Sequence, residues 1–109
     1  MASHIEGDAR LVRGMHAPVS LRFTDVPCVD FAAAASLSLT MTVVGPGISF
    51  TVQPSAWTWS GKSGGNALAT WRPNGTEFTS NGWCRFSLTL IVDGAPVDLL
   101  SFHEWVDDN

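Results

Sequence analysis

The feature that most constrains this chain is a strict two-residue alternation. From Ser36 to Val43, Leu37, Leu39, Met41 and Val43 alternate with Ser36, Ser38, Thr40 and Thr42. Successive side chains of a strand point to opposite faces, so this run predicts a strand with one dry and one wet face. Gly45-Pro46-Gly47 interrupts it, and Ile48, Phe50 and Val52 then alternate with Ser49, Thr51 and Gln53, which predicts a return strand across a tight turn. Val19, Leu21 and Phe23, alternating with Ser20, Arg22 and Thr24, predict a third strand of the same kind.

The period continues downstream. Ala56 to Ser60 places Trp57 and Trp59 on one face, Lys62 to Asn66 is a Gly-rich loop, and Ala67 to Arg72 runs into Pro73-Asn74-Gly75. Phe78 leads into Asn81-Gly82, a pair that tolerates the positive φ of hairpin turns. From Trp83 to Val92, Cys84, Phe86, Leu88, Leu90 and Val92 share one face and Arg85, Ser87 and Thr89 the other. Asp93-Gly94-Ala95-Pro96 turns the chain into a last strand, Val97 to Trp105, with apolar groups on both faces: Val97, Leu99 and Trp105 on one, Leu100 and Phe102 on the other. Both faces of that strand are expected to be covered.

Only 28–44, 83–93 and 97–109 exceed ten residues without Gly or Pro, which leaves little room for long helices. The expected class is therefore all-β, a small antiparallel sandwich or barrel of about eight strands with at most one short helix. The alternative is an α+β roll with a helix near residues 28–36, because Asp30 to Ser36 carries four successive alanines. The same small side chains also suit close contact with another layer. At 109 residues, with no internal repeat or linker, residues 1–109 read as a single domain.

Charge excludes several partners. The net charge is −4, and six basic residues (Arg10, Arg13, Arg22, Lys62, Arg72, Arg85) are scattered singly among ten acids. No cluster exists to neutralise phosphates, which argues against nucleic acid and anionic lipid. The longest unbroken apolar run, Phe31 to Ala35, is far short of the ~20 residues that span a bilayer. Met1 to Gly14 has no apolar stretch of signal-peptide type, so the chain reads as soluble, with its compartment unspecified.

Motifs that carry chemistry are weak. Gly61-Lys62-Ser63-Gly64-Gly65 fits G-x-S-x-G, but the nucleophile elbow needs a parallel sheet and a following helix that nothing here predicts. A nucleotide P-loop fails because Ala56 stands where its first glycine is required. The loop reads as a hairpin connection whose N–H groups and Lys62 are a candidate anion cradle. His4, His16, His103, Cys28 and Cys84 lack metal-ligand spacing, and His103 and Glu104 point to opposite faces of a strand, so no metal or cofactor is implied. No acid–base pair converges on strand geometry, and no catalytic residue is assigned. Cys28 and Cys84 are either one disulfide or two thiols, the dry-face position of Cys84 favouring thiols. Asn74-Gly75-Thr76 has the form of a glycosylation acceptor, and a Pro-Asn-Gly turn explains the same residues.

Five tryptophans with no tyrosine is the most unusual feature, four of them within residues 57–83. Exposed tryptophans stack on sugar rings and other flat amphipathic ligands, whereas buried ones fill a core. The expectation is a non-enzymatic binding domain, with carbohydrate as a suited ligand, through Trp57, Trp59, Trp71, Lys62 and Asn66. The alternatives are a small β-barrel enzyme or ligand carrier with an internal pocket, and a structural assembly unit. The two-faced last strand adds the expectation of a homodimer.

Overall fold

In a computed structural model, residues 4–7 and 11–108 are described. The N-terminal reading over Met1 to Gly14 lies partly outside these residues, and so do the side chains of Asp98 and Leu99 in the last strand. Eight strands form: β1 (His4–Gly7), β2 (Val19–Thr24), β3 (Leu37–Gly45), β4 (Ile48–Val52), β5 (Thr58–Ser63), β6 (Asn66–Trp71), β7 (Gly82–Val92) and β8 (Ala95–Val106). They make two four-stranded antiparallel sheets, in the orders β1-β2-β6-β5 and β4-β3-β7-β8. The architecture is a sandwich and not a closed barrel.

The alternation sets which faces meet. Leu39, Met41 and Val43 of β3 lie opposite Leu90, Leu88 and Phe86 of β7, and all are buried. From the first sheet, Val19, Leu21 and Phe23 of β2 and Ala67, Ala69 and Trp71 of β6 close the other side of the core. Ala69 stands between Leu21 and Trp59 in register, and its single methyl leaves space for the indole. Two aromatic groups fill the interior. At one end, Trp59 stacks on Phe23 (5.8 Å) and Phe31 (5.9 Å); at the other, Phe50, Trp71 and Phe78 pack together at centroid separations of 5.2–6.1 Å.

The turns follow local chemistry. Asp93 (φ 51°) and Gly94 (φ 83°) both take positive φ between β7 and β8, the requirement of a type I′ hairpin turn. Asp93 Oδ1 also accepts hydrogen bonds from the N–H groups of Ala35 (2.8 Å) and Ser36 (2.9 Å), which clamps the entry to β3.

The helix expected as an alternative near 28–36 does not form; among the described residues the one helical element is a 3-10 turn, Pro54–Ala56. Asp30 Oδ1 does accept from Ala32 N (3.1 Å) and Ala33 N (3.3 Å) as a helix cap would, but the segment continues as turns. Phe31 is fully buried and its N–H donates to Gly64 O at 2.7 Å, whereas Ala32, Ala33 and Ala35 stay exposed. An alanine helix here would have no apolar stripe to bury, and a helix this short is not stable on propensity alone.

Cys84 is buried and Cys28 exposed, and both are unpaired. Burial pushes the Cys84 thiol above its ordinary value, which suppresses its thiolate. Ellman's reagent is therefore expected to titrate Cys28 promptly in native protein and Cys84 only on unfolding. Two fast thiols in the native state, or none in unfolded and unreduced protein, would contradict this.

Candidate functional site

The tryptophans expected at a binding surface are mostly interior. Trp57 and Trp71 are 7% and 6% exposed, and Trp59 is half-buried against Phe23 and Phe31, which also touch each other. Trp57 and Trp71 thus offer little indole surface to a ligand, whereas Trp59 keeps part of its ring exposed. The physical reason is the inward parity of β5 and β6: Trp59 pairs with buried Ala69, and Trp71 pairs with buried Val19. The Nε1–H of Trp57 is buried with no acceptor, a local cost that the surrounding aromatic packing must offset.

The Gly-rich loop is a structural clasp. Gly64 O accepts from Phe31 N (2.7 Å) and Gly65 O from Val26 N (3.0 Å), so these carbonyls are engaged by the 25–31 segment. A Cβ on Gly65 would stand 2.8 Å from Val26 O, so only glycine permits this approach. Asn66 completes the clasp: its Oδ1 accepts from Asp25 N (3.1 Å) and its Nδ2 donates to Ser63 O (3.2 Å). Lys62 is exposed on edge strand β5. At the other turn, Asn74 Oδ1 accepts from the Thr76 N–H (3.1 Å) and hydroxyl (2.5 Å), the turn geometry that those residues already explained.

The exposed aromatic pair lies on the opposite sheet. Trp83 of β7 and Trp105 of β8 are cross-strand partners on the outer face, 61% and 43% exposed. Their rings meet edge-to-face, centroids 5.4 Å apart and planes at 73°. The next row across the sheet is Ser49, Val44, Arg85 and His103, and the one after it Thr51, Thr42, Ser87 and Ser101. Arg85 Nε donates to Ser101 Oγ at 3.0 Å, which orients the guanidinium along this face. The result is an indole corner beside a cation, an imidazole and a field of hydroxyls.

A bulge makes this pair. With the two-residue turn Asp93-Gly94, Val92 opposes Ala95, and an uninterrupted ladder would bring Trp83 opposite Glu104. Between Leu90/Asp98 and Ile91/Pro96 one extra residue, Val97, shifts the register by one. That shift turns Phe102 inward, where it stacks on Phe86 at 5.2 Å, and turns Trp105 outward beside Trp83. Trp83 was detectable in the sequence, since it shares the parity of Arg85, Ser87 and Thr89. Trp105 was not, because its face depends on the bulge.

Two open grooves lie on the first sheet. One, of about 640 Å³, is lined by Thr58, Thr70, Trp71, Arg72, Asn74 and Glu77 among others. The second, of about 370 Å³, includes Arg22, Thr24, Ser60 and Asn66. Among the described residues no three His, Cys, Asp or Glu side chains come close enough to hold a metal ion. Among the described residues no helix is long and apolar enough to cross a membrane. Compared with known proteins, the chain matches no family model, no curated protein and no solved structure.

Proposed function

We propose that this chain is a non-enzymatic binding domain whose contact face is the outer surface of the β4-β3-β7-β8 sheet, centred on Trp83 and Trp105. The observation that carries this reading is two tryptophans held side by side in solvent. Large exposed aromatics are disfavoured on a soluble surface unless they contact something, and tryptophan dominates binding hot spots. Carbohydrate is the ligand class that suits the corner. An indole face packs against the C–H groups of a sugar ring, and Arg85, His103, Ser87 and Ser101 supply hydrogen bonds to its hydroxyls.

A glycan array probed with the labelled protein tests this. Binding is expected to fall by about thirtyfold, roughly 2 kcal/mol, in Trp83→Ala. Stability should change by about 0.5 kcal/mol or less, because the ring is exposed. Equal array signals from the variant and the native protein would remove Trp83 from the site.

A second reading is supported by the larger groove, where the edge of Trp71 meets Arg72, Glu77 and the hydroxyls of Thr58 and Thr70. It keeps a ligand-facing role for one of the tryptophans read from the sequence. Arg72→Ala separates the two readings, since it should affect binding only if the groove is used.

A further inference from the structure

The open edge of β8 is the feature that the binding reading leaves unused. A sheet edge exposes a row of N–H and C=O groups, and proteins blunt such edges with short strands, bulges, lysine or proline. The other edges conform: β1 has four residues and β4 five. β5 carries an irregularity between Ser60 and Ser63, with Gly61 at positive φ and Lys62 on the strand. β8 has twelve residues, no lysine, and its one proline, Pro96, at the start.

Hydrogen bonds at its end reveal which groups face outward. Asp107 N donates to Leu11 O (3.0 Å) and Arg13 N donates to Asp107 O (2.8 Å), so both main-chain groups of Asp107 point away from β7. Direction alternates along a strand, so the N–H and C=O of Trp105, His103, Ser101 and Leu99 point the same way. Residues 11–13 cover only the position of Asp107; among the described residues nothing pairs with the edge from Leu99 to Trp105.

We propose that this edge pairs with the same edge of a second copy, antiparallel about a two-fold axis, so that two four-stranded sheets become one. Two constraints act on the register. Outward groups must meet outward groups, which restricts the axis to a residue position and excludes the midpoint between two residues. An axis at His103 or Phe102 would bring Leu99 or Val97 onto Asp107 of the second copy, whose groups residues 11–13 already hold, so the axis lies N-terminal to Phe102. Half-buried Leu100 and Phe102 lie at this seam and gain cover from their counterparts. Two-fold pairing is the commonest closed assembly, and it removes the edge.

The test needs no ligand and is independent of the sugar-binding reading. Light scattering on a size-exclusion column should give twice the 11.7 kDa of the chain at micromolar concentration and above. Amide exchange at that concentration should show Ser101, His103 and Trp105 protected. His103→Pro deletes an outward N–H while leaving the β7 ladder its bonds, so it should halve the mass with the circular dichroism of the native fold retained. A mass of one chain throughout overturns the proposal. So does a dimer whose Ser101 and His103 amides exchange freely, because it would be held by another surface.

Discussion

Trp71→Ala is expected to destabilise the domain by about 3–5 kcal/mol, the usual cost of emptying a buried aromatic site. The indole is 6% exposed and touches Phe50 (5.7 Å), Phe78 (6.1 Å) and Trp57 (6.3 Å), side chains drawn from the opposite sheet and the connecting loops. Removing it leaves a void that a sandwich cannot collapse, because the sheet ladders fix the spacing on either side. Small domains have about 5–15 kcal/mol in total, so the variant should lose a large part of its stability and unfold at much lower urea concentration. Urea unfolding followed by circular dichroism measures this, with Trp83→Ala as the companion. A shift below about 1 kcal/mol for Trp71→Ala, or a larger shift for Trp83→Ala, would reverse the division between core and surface indoles.

Phe31→Ala should cost a similar amount, about 3–5 kcal/mol, through a different mechanism. Phe31 is the single fully buried residue of the 27–36 segment and packs on Phe23 (5.8 Å) and Trp59 (5.9 Å). It is the anchor that holds the segment on the β5–β6 turn, together with the Phe31 N–H to Gly64 O bond. Without the ring, the segment has mainly exposed alanines to offer, and Trp59 loses one of its two stacking partners. Beyond the stability loss, amide exchange at Phe31 and Val26 should accelerate more than exchange in β3 and β7. Uniform acceleration across both sheets would show that the segment is part of the global unfolding unit and not a locally anchored strap.

The strands were legible because one physical rule produced them. Wherever one face of a strand is dry and the other wet, the two-residue period survives in the sequence, as in Leu37 to Val43, Ile48 to Val52 and Trp83 to Val92. The turns were legible too, since Pro46-Gly47 and Asp93-Gly94 carry the required φ preferences, and Gly47 and Gly94 do take positive φ. The alanine segment stayed ambiguous because helix propensity acts locally, whereas its conformation is decided by Phe31 docking on residues distant in sequence. The proposed contact face was not legible in the sequence for two reasons. Indoles fill cores and bind ligands with the same chemistry, so composition alone does not separate Trp71 from Trp83. The face of Trp105 depends on the extra residue at Val97, and a bulge leaves no mark in an alternation already apolar on both sides.

The outer-face assignment is tested most directly in a ¹H–¹⁵N spectrum that resolves the indole Nε1–H signals of the five tryptophans. The titrant is the soluble form of the glycan giving the strongest array signal. The account predicts that the signals of Trp83 and Trp105 move with the titration while those of Trp57, Trp59 and Trp71 hold their positions. Shifts concentrated on Trp71, with Trp83 and Trp105 unmoved, would contradict it and place the ligand in the groove of the opposite sheet.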